Sequence, residues 1–247
     1  MIQRVVPGTL VVEHSADQAA RVASACIARA LVEGIGRSGS ATIALSGGKT
    51  PRDTYVALAR EPGVDWTKVR VFWVDERAVA PTDDRSNYRW GKATLIDGAR
   101  IDADHVHRMP ADGADLDAAA REYEQTIRTW VSASTGGTPS FDVVVLGAGD
   151  DGHTASLFPG EPTVDIMDRL VAPVAALGAR EARLTITRPM IERARNTIVL
   201  VLGAEKRGAL ERAWAPRGDV HDTPVRLVAG CRGTLTWIVD DAACGPA

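Results

Sequence analysis

Short apolar runs alternate along the chain with stretches of helical periodicity. Strands are predicted over 9–13, 41–45, 69–74, 141–146, 197–202 and 234–239. Helices are predicted from 15 towards 32, and over 86–96, 114–131 and 204–214. This alternation favours an α/β fold with an open, mostly parallel, doubly wound sheet of Rossmann-like type and helices on both faces.

Capping signals sharpen two of these boundaries. Ser15-Ala16-Asp17-Gln18 is a capping box that opens the first helix. At the next helix, Thr50 is predicted to be the N-cap and Pro51 the first helical residue. The Gly/Ser/Thr stretch over 132–140 is short for a domain linker, and we find no internal repeat. We therefore expect one domain over 1–247.

Composition narrows the class of protein. Hydrophobic residues make up 45% of the 247 and charged residues 25%, as in an ordinary globular protein. The formal net charge of −3 shows no excess of basic residues of the kind that binds nucleic acid or an anionic membrane. No apolar run reaches membrane-spanning length, and residues 1–8 lack the features of a signal peptide, so we expect a cytoplasmic protein. Three scattered cysteines fit a reducing compartment and form no metal motif.

The stretch after the strand predicted over 141–146 combines glycines with ionisable side chains. It reads L-G-A-G-D-D-G-H-T-A-S-L-F-P-G over 146–160. Ligands of open α/β sheets gather at the carboxyl ends of strands. Asp151 and His153, flanked by glycine, suit a general base held against a carbonyl substrate. On this loop alone, a Gly-rich turn with a solvated histidine fits equally well.

The same stretch contains a G-x-G-x-x-G pattern at Gly147, Gly149 and Gly152. A dinucleotide site requires this pattern to open a long helix. Here Pro159 and Gly160 shorten any helix, and two aspartates would face the pyrophosphate. A dinucleotide site is therefore not expected.

A second glycine-containing turn follows the strand over 41–45 and reads S-G-G-K-T-P over 46–51. Converging backbone N–H groups and a helix N-terminus make it a phosphate cradle. The spacing of a Walker A loop is absent. Ser46 and Lys49 also match S-x-x-K, but that chemistry needs both residues on one helix, whereas this helix is predicted to start after Lys49.

Other charged residues lie at or near the ends of predicted strands. Asp75-Glu76-Arg77 follows the strand over 69–74, and for Glu76 we expect an ordinary solvated turn. Lys206 follows the strand over 197–202 near a helix start. His105 and His107 lack a third ligand at metal spacing, so we expect surface or core histidines and no metal site.

Several segments together resemble one family. The loop over 146–160 resembles the G-x-x-x-D-G-H-T-A-S-L-F-P-G signature of the 6-phosphogluconolactonases. The turn over 46–51 resembles the S-G-G-x-T-P loop of the phosphogluconolactonase and glucosamine-phosphate deaminase superfamily. D-E-R at 75–77 with Ser-Asn at 86–87, R-x-T-x-T at 183–187 and G-x-x-K at 203–206 follow in the family's order. The chain departs from the family at 83–85, where Asp-Asp-Arg stands in place of the His and Asp of many members.

The resemblance implies a sheet of the deaminase/lactonase type and the hydrolysis of 6-phospho-D-glucono-1,5-lactone without metal or organic cofactor. It implies His153 as general base, Asp151 as its orienting partner, and Arg77 or loop N–H groups as oxyanion stabilisers, with Asp75 beside them. The phosphate-binding residues it implies are Ser46, Gly47, Gly48, Thr50, Arg183 and Lys206.

Two other functions compete with this hypothesis. Glucosamine-6-phosphate deaminases carry a loop closer to D-G-H-I-A-F-N-E-P and lack the arginine at position 77. A non-enzymatic sugar-phosphate sensor usually carries a DNA-binding helix-turn-helix, for which the chain has no spare basic segment. A small sugar-phosphate lactone is therefore the expected partner, and the protein is expected to be a monomer or small homo-oligomer.

Overall fold

The computed structural model describes residues 5–133 and 137–245. The sequence interpretations of 1–8 and 132–140 therefore fall partly outside it, at 1–4 and 134–136. The strands are β1 Thr9–Glu13, β2 Ala41–Leu45, β3 Val69–Trp73, β4 Asp75–Arg77, β5 Val143–Leu146, β6 Val171–Val174, β7 Arg183–Ile186, β8 Asn196–Val201 and β9 Thr234–Asp240. The α-helices are α1 Ala16–Ser38, α2 Thr50–Leu58, α3 Asn87–Gly91, α4 Asp97–Ala99, α5 Leu116–Trp130, α6 Arg188–Glu192, α7 Arg207–Trp214 and α8 Asp241–Cys244.

Six strands form a parallel sheet in the order β1-β9-β8-β5-β2-β3. Every residue of β2 and of β5 is buried. Strands buried on both faces require cover from helices on both sides, so the predicted α/β sheet is confirmed. Because the strands are parallel, the loops after β2, β3, β5 and β8 meet at one edge.

A second, three-stranded antiparallel sheet in the order β4-β7-β6 was not predicted. The chain passes into it at Val74, whose N–H donates to Leu45 of the first sheet and whose carbonyl accepts from Ile186. Arg77 of β4 then lies opposite Arg183 of β7. The small sheet thus brings two arginines to the edge where the loops meet.

The two predicted helix starts turned out differently. Ser15 caps α1 as expected, because its Oγ accepts the Gln18 N–H at 3.3 Å. At α2 the N-cap prediction is wrong: Thr50 is already helical, and Lys49 precedes it without a side-chain cap. The backbone of Lys49 has helical angles, which moves Thr50 into the first turn. The helix still begins after Lys49, so Ser46 and Lys49 do not share a helix.

No helix within the described ranges combines the length and apolarity that crossing a membrane requires.

Candidate active site

The loop between β2 and α2 is shaped by its two glycines. A Cβ on Gly47 would lie 1.7 Å from Asn87 Oδ1, and Gly48 has a φ of +92°. Tyr55, fully buried, accepts the Ser46 N–H and donates its hydroxyl to the Ser46 carbonyl, each at 3.0 Å. The N–H groups of Gly47 and Gly48 have no acceptor among the residues described. These two N–H groups, next to the N-terminus of α2, fit an anion.

Asp75 lies at the start of β4 and is only 5% exposed. Its Oδ2 accepts from Ser156 Oγ at 2.7 Å, and its Oδ1 accepts from Asn87 Nδ2 at 3.2 Å. Arg183 Nη1 lies 3.6 Å from Oδ2. These partners compensate the carboxylate for its burial and fix its direction.

Arg77 and Arg183 place positive charge beside Asp75. Arg77 Nη1 donates to the Arg85 carbonyl at 2.5 Å. Burial lowers the pKa of the Arg183 guanidinium, Asp75 opposes that shift, and Arg77 adds to it. Because an arginine stays protonated in proteins, the two guanidiniums form a fixed cationic pair that favours a bound anion.

Glu76 contradicts the solvated turn that we expected for it, because its side chain is buried and only 4% exposed. Its carboxylate accepts the N–H groups of Arg77, Asn87 and Tyr88 at 2.7–2.8 Å, and the Ser86 hydroxyl at 3.0 Å. Burial raises the pKa of Glu76, and these bonds oppose the rise. The carboxylate therefore organises the chain around Asp75 and Arg77, facing away from solvent.

Residues 147–160, the catalytic loop hereafter, form no helix. Backbone N–H groups of Gly149 and Gly152 donate to carbonyls within the loop, at His153 and Gly149. Gly149 has no room for a side chain, since its Cβ would lie 2.1 Å from His153 Nδ1. Ala155 takes a φ of +49°, a conformation uncommon for alanine. No helix directly follows Gly152, whereas a dinucleotide-binding G-x-G-x-x-G motif opens a long helix.

His153 and Asp151 form a hydrogen-bonded pair. Asp151 Oδ1 accepts from His153 Nδ1 at 2.6 Å and from the His153 N–H at 3.0 Å. Burial raises the pKa of Asp151, but these bonds outweigh burial and hold it at about 2. An ionised carboxylate only accepts hydrogen bonds, so the neutral imidazole carries its proton on Nδ1 and leaves Nε2 as an acceptor.

The ring of His153 also packs against Phe158, with 4.6 Å between ring centroids. The guanidinium of Arg180 lies over the same Phe158 ring, with its Cζ 3.9 Å from the ring centroid. The imidazole is thus restrained by a ring contact as well as by its carboxylate.

Lys206 ends a short 3₁₀ turn after β8. Its Nζ lies 2.5 Å from Asp150 Oδ1. Its side chain is 21% exposed and lines the cleft, and its contact with Asp150 lies at the surface.

These elements surround a cleft of about 360 Å³. Of the ten predicted site residues, nine line it: Ser46, Gly47, Gly48, Thr50, Asp75, Arg77, His153, Arg183 and Lys206. Asp151 does not line the cleft and reaches it through His153. Asn87, Lys49 and Glu205 also line it. None of the three was among the predicted site residues, and Lys49 was considered only for the S-x-x-K match. The Ser-Asn pair at 86–87 was the one available signal for Asn87.

His105 and His107 do not line the cleft. His107 packs against the rings of Phe72 and Trp130, and burial lowers its pKa to about 4, helped by the charges of Arg70 and His105. Within residues 5–133 and 137–245, no three His, Cys, Asp or Glu side chains gather in a metal-binding group.

Comparison with known proteins identifies the family of the chain. The model of the family "Glucosamine-6-phosphate isomerases/6-phosphogluconolactonase" matches residues 14–237. A 6-phosphogluconolactonase of Synechocystis sp. is 40% identical over 218 residues, which cover 88% of this chain and 89% of the relative. One of Nostoc sp. is 38% identical over 236 residues, covering 94% and 96%.

Solved structures give the same result. The 6-phosphogluconolactonase of Trypanosoma brucei is 28% identical, with a TM-score of 0.79 and 98% of each chain covered. That of Trypanosoma cruzi is 27% identical, with a TM-score of 0.82 and 98% and 97% covered. A monomeric glucosamine-6-phosphate deaminase at 17% identity and a TM-score of 0.78 shares the fold. The chain belongs to the glucosamine-6-phosphate isomerase/6-phosphogluconolactonase family.

Proposed function

We propose that the chain hydrolyses 6-phospho-D-glucono-1,5-lactone to 6-phospho-D-gluconate, the lactonase step of the oxidative pentose phosphate pathway. The observation that carries this proposal is the Asp151–His153 pair, joined at 2.6 Å, at a cleft that Arg77, Arg183 and Lys206 also line. A phosphorylated lactone needs a base to activate water for attack on its ester carbonyl, and it needs positive charge to bind its phosphate. This cleft contains both. The relatives that cover most of this chain carry the same activity in their names.

His153 begins the reaction as the general base. Its Nε2 takes a proton from water while the water oxygen forms a bond to the lactone carbonyl carbon, C1. The carbonyl π electrons move onto oxygen and give a tetrahedral oxyanion. When the oxyanion collapses, the bond from C1 to the ring oxygen breaks, and His153 returns the proton to that oxygen. The product is an open hydroxy acid.

Asp151 orients the imidazole and stabilises its protonated form. This role follows from its two hydrogen bonds to His153 and from a pKa held at about 2, which keeps the carboxylate charged. A carboxylate in this position fixes the productive tautomer of the ring.

Arg77 is the favoured stabiliser of the oxyanion. On the catalytic loop, the N–H groups of Gly149, Gly152 and His153 donate within the loop, so the alternative donors are those of Ala148 and Ala155, which line the cleft and have no acceptor among the described residues. Arg77 also lines the cleft, and its guanidinium brings a full positive charge that a backbone N–H lacks. Fixed donors of this kind act where charge develops in the transition state. Asp75 forms an ion pair with Arg183 and so helps to position the positive charge beside Arg77.

The substrate phosphate is assigned to the β2–α2 loop with Arg183 and Lys206. Gly47 and Gly48 supply unpaired N–H groups, Ser46 and Thr50 supply hydroxyls, and the two cations supply charge. Bidentate arginine and the point charge of lysine are both suited to phosphate. Binding there positions C1 against His153.

We also propose that the chain works as one domain, as a monomer or small homo-oligomer in the cytoplasm, without metal, organic cofactor or nucleic acid. The scattered cysteines support the compartment, and the net charge of −3 supports the absence of a nucleic-acid partner.

The test is hydrolysis of freshly generated 6-phosphogluconolactone, measured as the rate above its spontaneous opening. A rate that depends on enzyme concentration and falls in a His153→Ala variant supports the proposal. Ammonia release from glucosamine 6-phosphate is measured in parallel. Ammonia release without lactone hydrolysis would assign the chain to the deaminase activity instead.

A further inference from the structure

The ammonium of Lys206 already has an anionic partner from the chain itself. Asp150 Oδ1 lies 2.5 Å from Nζ. The Asp150 side chain is 69% exposed, whereas that of Lys206 is 21% exposed. A phosphate that binds Lys206 at its ammonium therefore meets a carboxylate at the same place.

The backbone of Asp150 is held independently of its side chain. Arg212 Nη2 donates to the Asp150 carbonyl at 2.5 Å. The turn around it is closed by the Gly149 N–H to the His153 carbonyl and the Gly152 N–H to the Gly149 carbonyl, at 2.8 and 2.9 Å. The carboxylate can therefore leave Lys206 by rotating into solvent, while the catalytic loop keeps its shape.

We propose that Asp150 is an internal competitor of the substrate phosphate for Lys206 and thereby sets the charge requirement of the site. This inference rests on the phosphate role of Lys206 under the proposed function. A phosphate monoester carries about −1.5 to −2 charges near pH 7, against one on Asp150, so it can displace the carboxylate. An unphosphorylated sugar has no anion for this exchange and leaves the ion pair closed.

The competing explanation is that Asp150 positions Lys206 for phosphate. The two explanations predict opposite signs. A competitor weakens phosphate binding, so its removal tightens binding. A positioning residue strengthens phosphate binding, so its removal loosens it.

The probe is inorganic phosphate, with its dissociation constant measured by titration calorimetry on the intact chain. The variants are Asp150→Asn, Lys206→Ala and the double variant, each checked by its thermal unfolding midpoint. Glu205→Gln is the matched control. It removes one negative charge from the residue beside Lys206, and in the described part of the chain Glu205 forms no ion pair with Lys206.

We expect Asp150→Asn to bind phosphate roughly two- to fivefold more tightly, the scale of a partly exposed ion pair. Glu205→Gln should gain less phosphate affinity than Asp150→Asn. In the Lys206→Ala background, Asp150→Asn should gain none, because the ammonium for which the carboxylate and phosphate compete is gone. Unchanged or weaker binding in Asp150→Asn, an equal gain in Glu205→Gln, or a gain that persists without Lys206 would overturn the inference.

The same set separates this inference from the function on which it rests. If Lys206→Ala binds phosphate as well as the native chain does, the phosphate assignment of Lys206 itself fails. If Lys206→Ala binds weakly while Asp150→Asn changes nothing, only the competition by Asp150 fails.

Discussion

Ser156 donates its hydroxyl to Asp75 at 2.7 Å, although 81 residues separate the two in sequence. This bond ties the catalytic loop to the strand that carries Arg77. Arg183 Nη1 lies 3.4 Å from the same hydroxyl and 3.6 Å from the Asp75 carboxylate, so a third element joins the contact. The loop that carries His153 and the strands that carry the two arginines are therefore joined by buried groups, which is the condition for electrostatic preorganisation.

Replacement of His153 tests the proposed base. His153→Ala should lower kcat by roughly 10²–10⁴, the usual contribution of positioned acid–base catalysis. His14→Ala is the control, since that ring is 87% exposed and bonded to Asp241. Steady-state rates of both variants on fresh lactone are compared after both are shown to fold. Near-normal kcat in folded His153→Ala would remove His153 from the mechanism.

The pH profile distinguishes the base from its carboxylate. The pKa of Asp151 is depressed to about 2 from its ordinary 3.8, so the charged carboxylate and its bond to His153 persist above 3.8 and are lost only as the pH falls through about 2. A protonated imidazole cannot act as a base, so kcat/KM should fall on the acid side while the Asp151 carboxylate is still charged.

The measurement is kcat/KM from pH 4.5 to 9 for the native chain and for Asp151→Asn. The variant should be slower by at least about tenfold at every pH because the ring loses its orientation, yet it should keep an acid limb. Disappearance of the limb in Asp151→Asn would assign the titration to Asp151.

The parallel sheet and the edge carrying the site follow from local sequence. Each β-to-loop transition shows an apolar run ending in glycine or charge, and parallel strands send those ends to one edge. The order of the motifs predicts that His153, Arg183 and Lys206 share one site, and in the structure all three line the same cleft. The small antiparallel sheet could not be read this way, because β4 and β7 are three and four residues long and pair across the chain.

The local sequence pattern also could not predict side-chain contacts that depend on residues distant in the chain. Glu76 resembles a solvated turn residue in sequence, but four donors converge on its carboxylate once α3 packs beside β4. Thr50 resembles an N-cap, but helical angles at Lys49 displace it. In both cases the three-dimensional context outweighs the local preference of the residue.

Glu76 should stabilise the chain around the cleft. Glu76→Gln places an amide N–H₂ group against donors that need an acceptor, so at least one hydrogen bond to a charged group is lost. We expect the free energy of unfolding to fall by roughly 1–3 kcal/mol and Tm by roughly 3–10 °C. Thermal unfolding of Glu76→Gln and of the exposed control Glu122→Gln gives the comparison. Equal Tm values would show that the buried carboxylate contributes no net stability.

Lys206 carries the final prediction, which concerns the phosphate. A charge-assisted hydrogen bond contributes roughly 1.5–3 kcal/mol, and about 1.4 kcal/mol is a factor of ten. Lys206→Ala should therefore reduce kcat/KM for the phosphorylated lactone by about 10- to 150-fold. The loss can appear in kcat as well as KM, since binding energy from the phosphate also positions the reacting carbon.

Unphosphorylated gluconolactone completes a two-by-two comparison of two enzymes and two lactones. It should be a poor substrate of the native chain and nearly indifferent to Lys206→Ala, because it has no phosphate to lose. If Asp150 competes with phosphate as proposed above, binding of this lactone also leaves the ion pair between Lys206 and Asp150 closed. Equal damage to both substrates would mean that Lys206 serves folding or the chemical step, and the phosphate would have to be held by Arg183 and the Gly47–Gly48 turn without it.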